Sequence, residues 1–301
     1  MNLIRTPEKN FDNLPGFLYE PKYVTLNGAR VHYIDEGSGD VILCLHGEPT
    51  YSYLYRKMVK PFTSAEKRVI SFDFIGFGRS DKFTSLEDYT YDMHYKTLTK
   101  FVEELDLHDI TLVVQDWGGL IGLPFAANNP EKIKNLVIMN TGLPSGRSKP
   151  TEAFMQWREF VENNPDLPIG MVIELGLANK ENIAPEILKA YEAPFPEEKY
   201  KVGARAWPLL VPISPDNPVA TIMLETREKL KKWNKPALVM FSDKDPITRG
   251  ADKFFRKLIP TARDNPEIVI RNAGHFLQEE KGEEIADHII NFLNSEELKE
   301  N

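Results

Sequence analysis

Residues 109–122 read DITLVVQDWGGLIG and carry the strongest structural signal in the chain. Residues 110–114 are a short apolar run rich in β-branched side chains, which is typical of a strand buried on both faces of a parallel sheet. Two glycines then precede an apolar segment that can continue as a helix. A strand that turns sharply into a helix through small residues lifts one side chain clear of the sheet, and here that side chain is Asp116.

The carboxylate of Asp116 limits the reactions that such an elbow can support. In the common form of the turn, G-x-S-x-G, the raised residue is serine, whereas this sequence has Asp116 there and Val114 at the first glycine. A serine that attacked a saturated carbon would form an ether, which water does not readily release. An aspartate forms an alkyl ester that can be hydrolysed, so the sequence predicts displacement at carbon followed by ester hydrolysis. The alternative is that Asp116 only caps the following helix.

Composition favours one large globular domain with room for an inserted lid. The chain has 301 residues, of which 42% are hydrophobic and 27% charged. Its net charge is −8 without a basic stripe, so nucleic acids and anionic membranes are poor partners. The N-terminus lacks the apolar core of a signal peptide, and no run is long enough to span a bilayer. Cys44 is the only cysteine, so we expect no disulfide and a cytoplasmic protein.

Strand-like runs alternate with helical patterns on both sides of a proline-rich region. This alternation favours an α/β fold with a mostly parallel sheet covered on both faces. Prolines punctuate short helical patterns in residues 141–225, which we interpret as a helical cap inserted into a core of residues 1–140 and 226–301. The sequence predicts strands at 41–45, 68–74, 110–114, 133–139, 237–241 and 267–270, and helices at 53–62 and 91–105.

Polar loops follow the predicted strands, at the edge where parallel sheets bind ligands. The later loops are SDKDPI and NAGHF, and the order nucleophile, acid, histidine is that of α/β-hydrolases, here Asp116, Asp245 and His275. His275 is the natural general base, because a neutral imidazole can take a proton from water near pH 7. Asp243 competes with Asp245 as its partner. We prefer Asp245 because a residue before proline is held extended.

The loop HGEPT, which follows residues 41–45, predicts an oxyanion hole. By position its backbone donors are the amides of Glu48 and Trp117. The side chain of Glu48 either supports the loop and the hydrolytic water or is a plain solvated carboxylate. The histidines show no metal-ligand spacing, and carboxylate, imidazole and water suffice for both steps, so we expect no metal and no cofactor.

Five motifs together resemble the haloalkane dehalogenases of the α/β-hydrolase superfamily, namely HGEPT, FDFIGFGRSDK, VVQDWGG, SDKDP and AGHF. The resemblance spans essentially the whole chain and is to the subgroup whose catalytic acid follows the late strand. It implies Asp116 as nucleophile, His275 as base and Asp245 as its acid partner. It also implies a small halogenated hydrocarbon as substrate and a halide ion as product.

The resemblance further implies a halide site built from two indole N–H groups. One belongs to Trp117, and the other to Trp157, because FMQW at 154–157 is similar to the family's F-x-x-W; Asn140 also matches this subgroup. Tryptophan offers one N–H donor and no acceptor, so two of them suit a large, weakly hydrated anion. Trp207 and Trp233 remain alternatives to Trp157 as the second halide donor. The predicted cavity walls are Phe154, Trp207, Leu120, Val211 and Ile247.

Two other functions remain open. Epoxide hydrolases share the fold, the aspartate nucleophile and the His–Asp pair, but need cap tyrosines to protonate the epoxide, and Tyr191 and Tyr200 lie in the predicted cap. Glu48 and Gln115 argue against this function, because that family commonly has histidine before the nucleophile. The second alternative is a non-catalytic hydrolase fold that binds a ligand. Its expected sign is a broken triad, whereas all three members are present here.

Overall fold

A sheet of eight strands lies at the centre of the computed structural model, which describes residues 2–300. In sequence order the strands of the protein are β1 (Leu3–Ile4), β2 (Lys22–Leu26), β3 (Ala29–Glu36), β4 (Asp40–Leu45), β5 (Lys67–Phe72), β6 (Lys82–Phe83), β7 (Ile110–Gln115), β8 (Ile133–Met139), β9 (Ala237–Ser242) and β10 (Ile268–Ile270). The spatial order is β10-β9-β8-β7-β4-β5-β3-β2. β2, β3 and β5 pair antiparallel and all other neighbours in this sheet pair parallel, while β1 and β6 form a separate antiparallel pair.

Helices connect the parallel strands and cover the sheet. They are α1 (Arg56–Ser64), α2 (Tyr91–Glu104), α3 (Trp117–Asn128), α4 (Glu152–Asn163), α5 (Ile169–Gly176), α6 (Pro185–Glu192), α7 (Val202–Leu210), α8 (Pro218–Leu230), α9 (Ala251–Leu258), α10 (Pro260–Asp264) and α11 (Leu277–Glu300). The predicted α/β fold with a mostly parallel sheet is therefore confirmed. Among the helices described, none combines the length and the hydrophobicity that crossing a bilayer requires.

β7 lies near the middle of the sheet, between β4 and β8. All six of its residues are buried, which explains why its sequence is a continuous apolar run and not an alternating one. The following helix, α3, is buried over most of its length and packs between the sheet and α8. The strand and the helix that carry Asp116 are thus the most enclosed part of the core.

Five helices, α4 to α8, lie between β8 and β9 in the chain. α4 packs on α7, and α5 packs on α6, so these four helices form two packed pairs. α8 differs because it packs on α3 of the core. The predicted boundary at residue 225 falls inside α8, so we propose that the cap ends before Pro218 and that α8 belongs to the core.

Candidate active site

The turn from β7 to α3 holds Asp116 in a backbone conformation that residues other than glycine rarely adopt, with φ 50° and ψ −123°. The amide of Asp116 donates to the carbonyl of Asn140 at 3.0 Å, which ties the turn to the end of β8. A Cβ atom at Gly118 would lie 2.1 Å from the carbonyl oxygen of Leu45, so only glycine fits this close crossing. The Asp116 side chain makes no capping hydrogen bond to α3, which excludes the alternative that it serves as a helix cap.

The Asp116 carboxylate is held between the HGEPT loop and the histidine loop. The backbone N–H of Glu48 donates to its Oδ1 at 2.8 Å, and His275 Nε2 lies 3.5 Å from its Oδ2. A Cβ atom at Gly47 would lie 2.3 Å from the Cβ of Asp116, so the loop passes directly against the nucleophile position. Trp117 is the first residue of α3, where backbone N–H groups lack partners within the helix. The geometry suits a carboxylate or an oxyanion at this point.

His275 is oriented by Asp245. Its Nδ1 lies 3.0 Å from Asp245 Oδ2, in a pair of which both members are buried. The carboxylate of Asp245 also accepts from the Ile247 amide at 2.8 Å and from the Thr248 hydroxyl. Asp243 is exposed, and its backbone amide bonds to β10. The structure therefore brings Asp245, and not Asp243, to His275.

Opposing effects set the protonation of His275. Burial lowers its pKa. The charges of Asp245 and Asp116, together with the hydrogen bonds that both make to the imidazole, outweigh burial and raise the pKa to about 10. Burial likewise raises the pKa of Asp245, but the charge and hydrogen bond of His275 lower it overall. The two carboxylates on either side of the imidazole thus favour its protonated form.

A second layer of polar side chains, whose role the sequence did not reveal, braces the histidine loop. Asn140 at the end of β8 donates to Ser242 Oγ at 2.8 Å and to the Gly274 carbonyl at 3.0 Å, and it accepts from the Ser242 amide at 3.0 Å. The amide nitrogen of Gln115 lies 3.3 Å from the carbonyl oxygen of His275. Their positions in the sequence could have indicated this role, because each polar residue lies at the end of a strand, at the carboxyl edge of the sheet.

A cavity of about 830 Å³ lies above Asp116, between the sheet edge and the cap. Glu48, Asp116, Trp117 and His275 line its floor on the core side, whereas α4 and α5 contribute walls from the cap. The lining is predominantly apolar, which suits a hydrocarbon ligand. Of the predicted site residues, the cavity is lined by Glu48, Asp116, Trp117, Leu120, Phe154, Trp157, Val211, Ile247 and His275.

Trp207 does not line this cavity, contrary to the prediction that it forms a wall. It is completely buried and stacks behind Trp117, with ring centroids 5.1 Å apart and planes 18° apart. Its indole N–H donates to His94 Nε2 at 2.7 Å. Because α7 carries Trp207 inward between these aromatic rings, its donor is already used and it supports Trp117 from behind.

The indoles of Trp117 and Trp157 differ from those of the other tryptophans. Both rings line the cavity, and neither indole N–H bonds to another residue in the described part of the chain. Trp233 is buried away from the cavity with its Nε1 unpaired. Two free N–H donors at one apolar cavity, one from the core and one from the cap, form a site that an anion can occupy.

The cap tyrosines required by an epoxide hydrolase do not reach the site. Tyr191 is fully buried and donates to Glu279 Oε2 at 2.7 Å, and Tyr200 is buried outside the cavity lining. Within residues 2–300, no tyrosine lines the cavity. An opening epoxide would find no phenol to protonate it here.

Glu48 is not a solvated carboxylate. Its side chain is buried, and Oε1 has no hydrogen-bond partner. Burial raises the pKa of Glu48 well above its usual value, and the charge of Asp116 raises it further. The protonated form of Glu48 is therefore favoured at this position beside Asp116. In the portion of the chain that the structure covers, no group of three or more His, Cys, Asp or Glu side chains is arranged to hold a metal ion.

Comparison with known proteins agrees with this geometry. A family model described as the alpha/beta hydrolase fold matches residues 40–282. Haloalkane dehalogenases from Psychrobacter cryohalolentis and Mycobacterium marinum are 43% and 44% identical to the chain, each over 97% of it and over 98% and 100% of their own lengths. The solved tetrameric haloalkane dehalogenase DpaA from Paraglaciecola agarilytica superposes with a TM-score of 0.90, at 37% identity over 96% of this chain and 97% of its own.

Proposed function

Since this chain belongs to the haloalkane dehalogenases, hydrolases with the α/β-hydrolase fold, we propose that it replaces halogen by hydroxyl in two steps, through a covalent ester on Asp116. The observation that carries this proposal is one contact set. The Asp116 carboxylate accepts a hydrogen bond from the Glu48 backbone N–H at 2.8 Å, and its other oxygen lies 3.5 Å from His275 Nε2. The carboxylate is at the floor of an apolar cavity. A nucleophile, a base and an oxyanion donor thus meet at one side chain.

In the first step a carboxylate oxygen of Asp116 attacks the halogen-bearing carbon. A C–O bond forms as the C–halogen bond breaks, and the halide leaves with the bonding electron pair. The free indole N–H groups of Trp117 and Trp157 stabilise the negative charge that grows on the leaving halogen. No proton is transferred in this step, so it does not require His275 as a base.

In the second step water attacks the carbonyl carbon of the Asp116 ester. His275 takes the proton from this water, and Asp245 stabilises the imidazolium that results. The backbone N–H groups of Glu48 and Trp117 are the donors that we assign to the oxyanion. Collapse of the tetrahedral intermediate breaks the bond from the carbonyl carbon to the alkoxy oxygen. The leaving alkoxide takes the proton from His275 and departs as the alcohol. The second proton of the water is released to solvent, and the Asp116 carboxylate returns.

The first step prepares the base for the second. Alkylation removes the negative charge of Asp116, and this charge is one of the causes that hold the pKa of His275 near 10. The pKa of His275 therefore falls once the ester has formed, because burial then works against fewer opposing charges. This shift favours the neutral imidazole at the stage at which a base is required.

The raised pKa of the Glu48 side chain gives this residue a supporting place in the scheme. A charged carboxylate beside Asp116 would repel the negative charge that develops in the second step. A neutral carboxyl group, which the raised pKa of Glu48 favours, avoids this repulsion.

The proposed substrates are small halogenated hydrocarbons, and the proposed ionic product is halide. We assign no nucleic-acid or membrane partner to a chain of net charge −8. The cytoplasmic location follows from the single cysteine alone and stays a prediction.

Incubation with 1,2-dibromoethane and, separately, with styrene oxide tests the function. We expect bromide release from the first and no diol from the second, since no tyrosine lines the cavity among residues 2–300. Diol formation without bromide release would favour an epoxide hydrolase. Binding of either compound without turnover would favour a non-catalytic protein.

A further inference from the structure

One carboxylate outside the triad, that of Glu280, receives four hydrogen bonds. Its Oε2 accepts from the backbone amides of Gly274 at 2.7 Å and Ala178 at 3.0 Å. Its Oε1 accepts from the backbone amide of Asn179 at 2.9 Å and from the Asn179 side-chain amide at 2.8 Å. Glu280 is near the start of α11, directly before the kink at Lys281. It therefore joins two segments that are about a hundred residues apart in the chain.

The first segment, residues 272–276, is named here the base loop because it carries His275. The second, residues 176–179, is named the cap strap because it follows α5 of the cap. Besides sharing Glu280, they bond directly, since the His275 amide donates to the Gly176 carbonyl at 2.7 Å and the Asn179 side chain donates to the Asn272 carbonyl at 2.9 Å. A Cβ atom at Gly274 would lie 2.1 Å from the Gly176 carbonyl oxygen. The base loop and the cap strap are thus packed backbone against backbone.

The cap strap continues a helix that forms part of the cavity wall. Val172, Leu175 and Gly176 all line the cavity. A substrate that contacts this wall therefore touches the same segment that holds the base loop. The Asp116 turn does not bond to Glu280 or to the cap strap. It is held by the end of β8 and by the HGEPT loop, and it meets the base loop through Asn140 and Gln115.

We propose that Glu280 is a positioning residue for the hydrolytic step, which holds the His275 imidazole in place through the base loop and the cap strap. The proposal rests on the two-step function given above. Loss of the Glu280 contacts loosens the base loop and leaves Asp116 and Trp117 in place. Ester hydrolysis then slows, whereas alkylation and halide release keep their rates.

Glu280→Gln tests these contacts specifically, because both carboxylate oxygens of Glu280 face only N–H donors. In either orientation the amide NH₂ group meets two donors, so two hydrogen bonds are lost without a change of side-chain shape. In a two-step reaction, slower hydrolysis lowers kcat and KM by the same factor and leaves kcat/KM unchanged. We expect kcat to fall roughly 10- to 100-fold, the cost of a small misplacement of a reacting group. A rapid burst of about one bromide per site should precede the slow phase, as for a covalent intermediate that accumulates.

Glu283→Gln is the matched control, since Glu283 is exposed on the same helix. It should keep the kcat and KM of the parent protein. Asn179→Ala is the second variant in case Glu280→Gln does not fold. It removes the side-chain bonds to Glu280 and Asn272 and should show the same pattern with a smaller loss.

The proposal is overturned if a folded Glu280→Gln protein keeps the kcat of the Glu283→Gln control. It is also overturned if kcat/KM and the burst rate fall as far as kcat, because this pattern indicates general damage to the site. Absence of bromide release from the parent protein would instead refute the proposed function itself.

Discussion

The core side and the cap side of the cavity are built by different means. On the core side, Asp116 and His275 are buried or nearly so and are fixed by hydrogen bonds from strand ends and loops. On the cap side, Trp157 is half-buried and is held mainly by packing, with its ring stacked on Phe160 at 5.9 Å. Bond-making chemistry requires reacting atoms to be held to fractions of an ångström, whereas selection among apolar substrates requires only shape. We therefore propose that the core supplies the nucleophile and the base, whereas the cap supplies one halide donor and most of the selection among substrates.

The largest expected effect is on the core side, at the nucleophile. Asp116→Asn keeps the size of the side chain but removes the attacking carboxylate. We expect turnover to fall roughly 10⁴-fold or more, as for other members of a catalytic triad. Bromide release from 1,2-dibromoethane measures it, with circular dichroism as the control for folding. Activity within tenfold of the parent protein would break the distinction between the two sides and exclude the covalent ester.

Variants of the two proposed halide donors compare the core side of the cavity with the cap side directly. Trp117→Phe removes a buried core donor aimed at developing charge, so kcat/KM should fall about 10²- to 10³-fold. Trp157→Phe removes the donor of a more loosely held ring and should cost less. Trp233→Phe is the control, because Trp233 is buried away from the cavity. An equal loss in the Trp233 variant would remove the case for a halide site between Trp117 and Trp157.

A smaller effect is expected at a cap wall that makes no hydrogen bond to the substrate. Phe154→Ala widens the cavity and should change the ratio of kcat/KM between 1-bromohexane and 1-bromobutane by about tenfold in favour of the longer chain. Leu188→Ala serves as control, since Leu188 is in the cap but not in the cavity lining. An unchanged ratio would mean that the cap does not select the substrate by shape.

Two variants that remove a charge with little change in side-chain shape test the electrostatics through the pKa of His275. In Asp116→Asn it should lie below the value of about 10 in the parent protein, and in Asp245→Asn lower still, because the charge of Asp245 raises it more. NMR titration of the imidazole measures all three values. A pKa in Asp116→Asn that equals or exceeds that of the parent would contradict the proposed preparation of the base.

The same shift has a consequence for stability. Since the pKa of His275 in the folded protein exceeds the ordinary value of 6.5, its imidazolium contacts contribute fully to the free energy of unfolding below pH 6.5. This contribution should decline as the pH rises from there to about 10.

The sequence predicted the parallel core well because a strand buried on both faces has a simple pattern. β8 matches the predicted residues 133–139, and the predicted strand 110–114 ends one residue short of β7. The predicted helix 53–62 was less accurate, since residues 52–55 form a 3₁₀ turn and α1 begins at Arg56. Local propensity does not distinguish such a turn from the first turn of a helix.

The triad was predictable because motifs fix its members near strand ends. Asp116, Asp245 and His275 meet because parallel strands bring their carboxyl ends together. The burial of Trp207 was not predictable, since it depends on how α7 packs against His94 and Trp117. Glu280 is one of several glutamates in a charged helix, and its four donors come from segments that only the fold brings together.

Intact-mass analysis of a His275→Phe variant mixed with 1-bromobutane tests the two-step account most directly. Without a base, the ester should form and persist, so we predict a mass increase of one butyl group, located on the peptide that contains Asp116 and absent from the Asp116→Asn, His275→Phe double variant. A folded His275→Phe protein that gains no mass, while the parent protein releases bromide, would contradict the covalent mechanism.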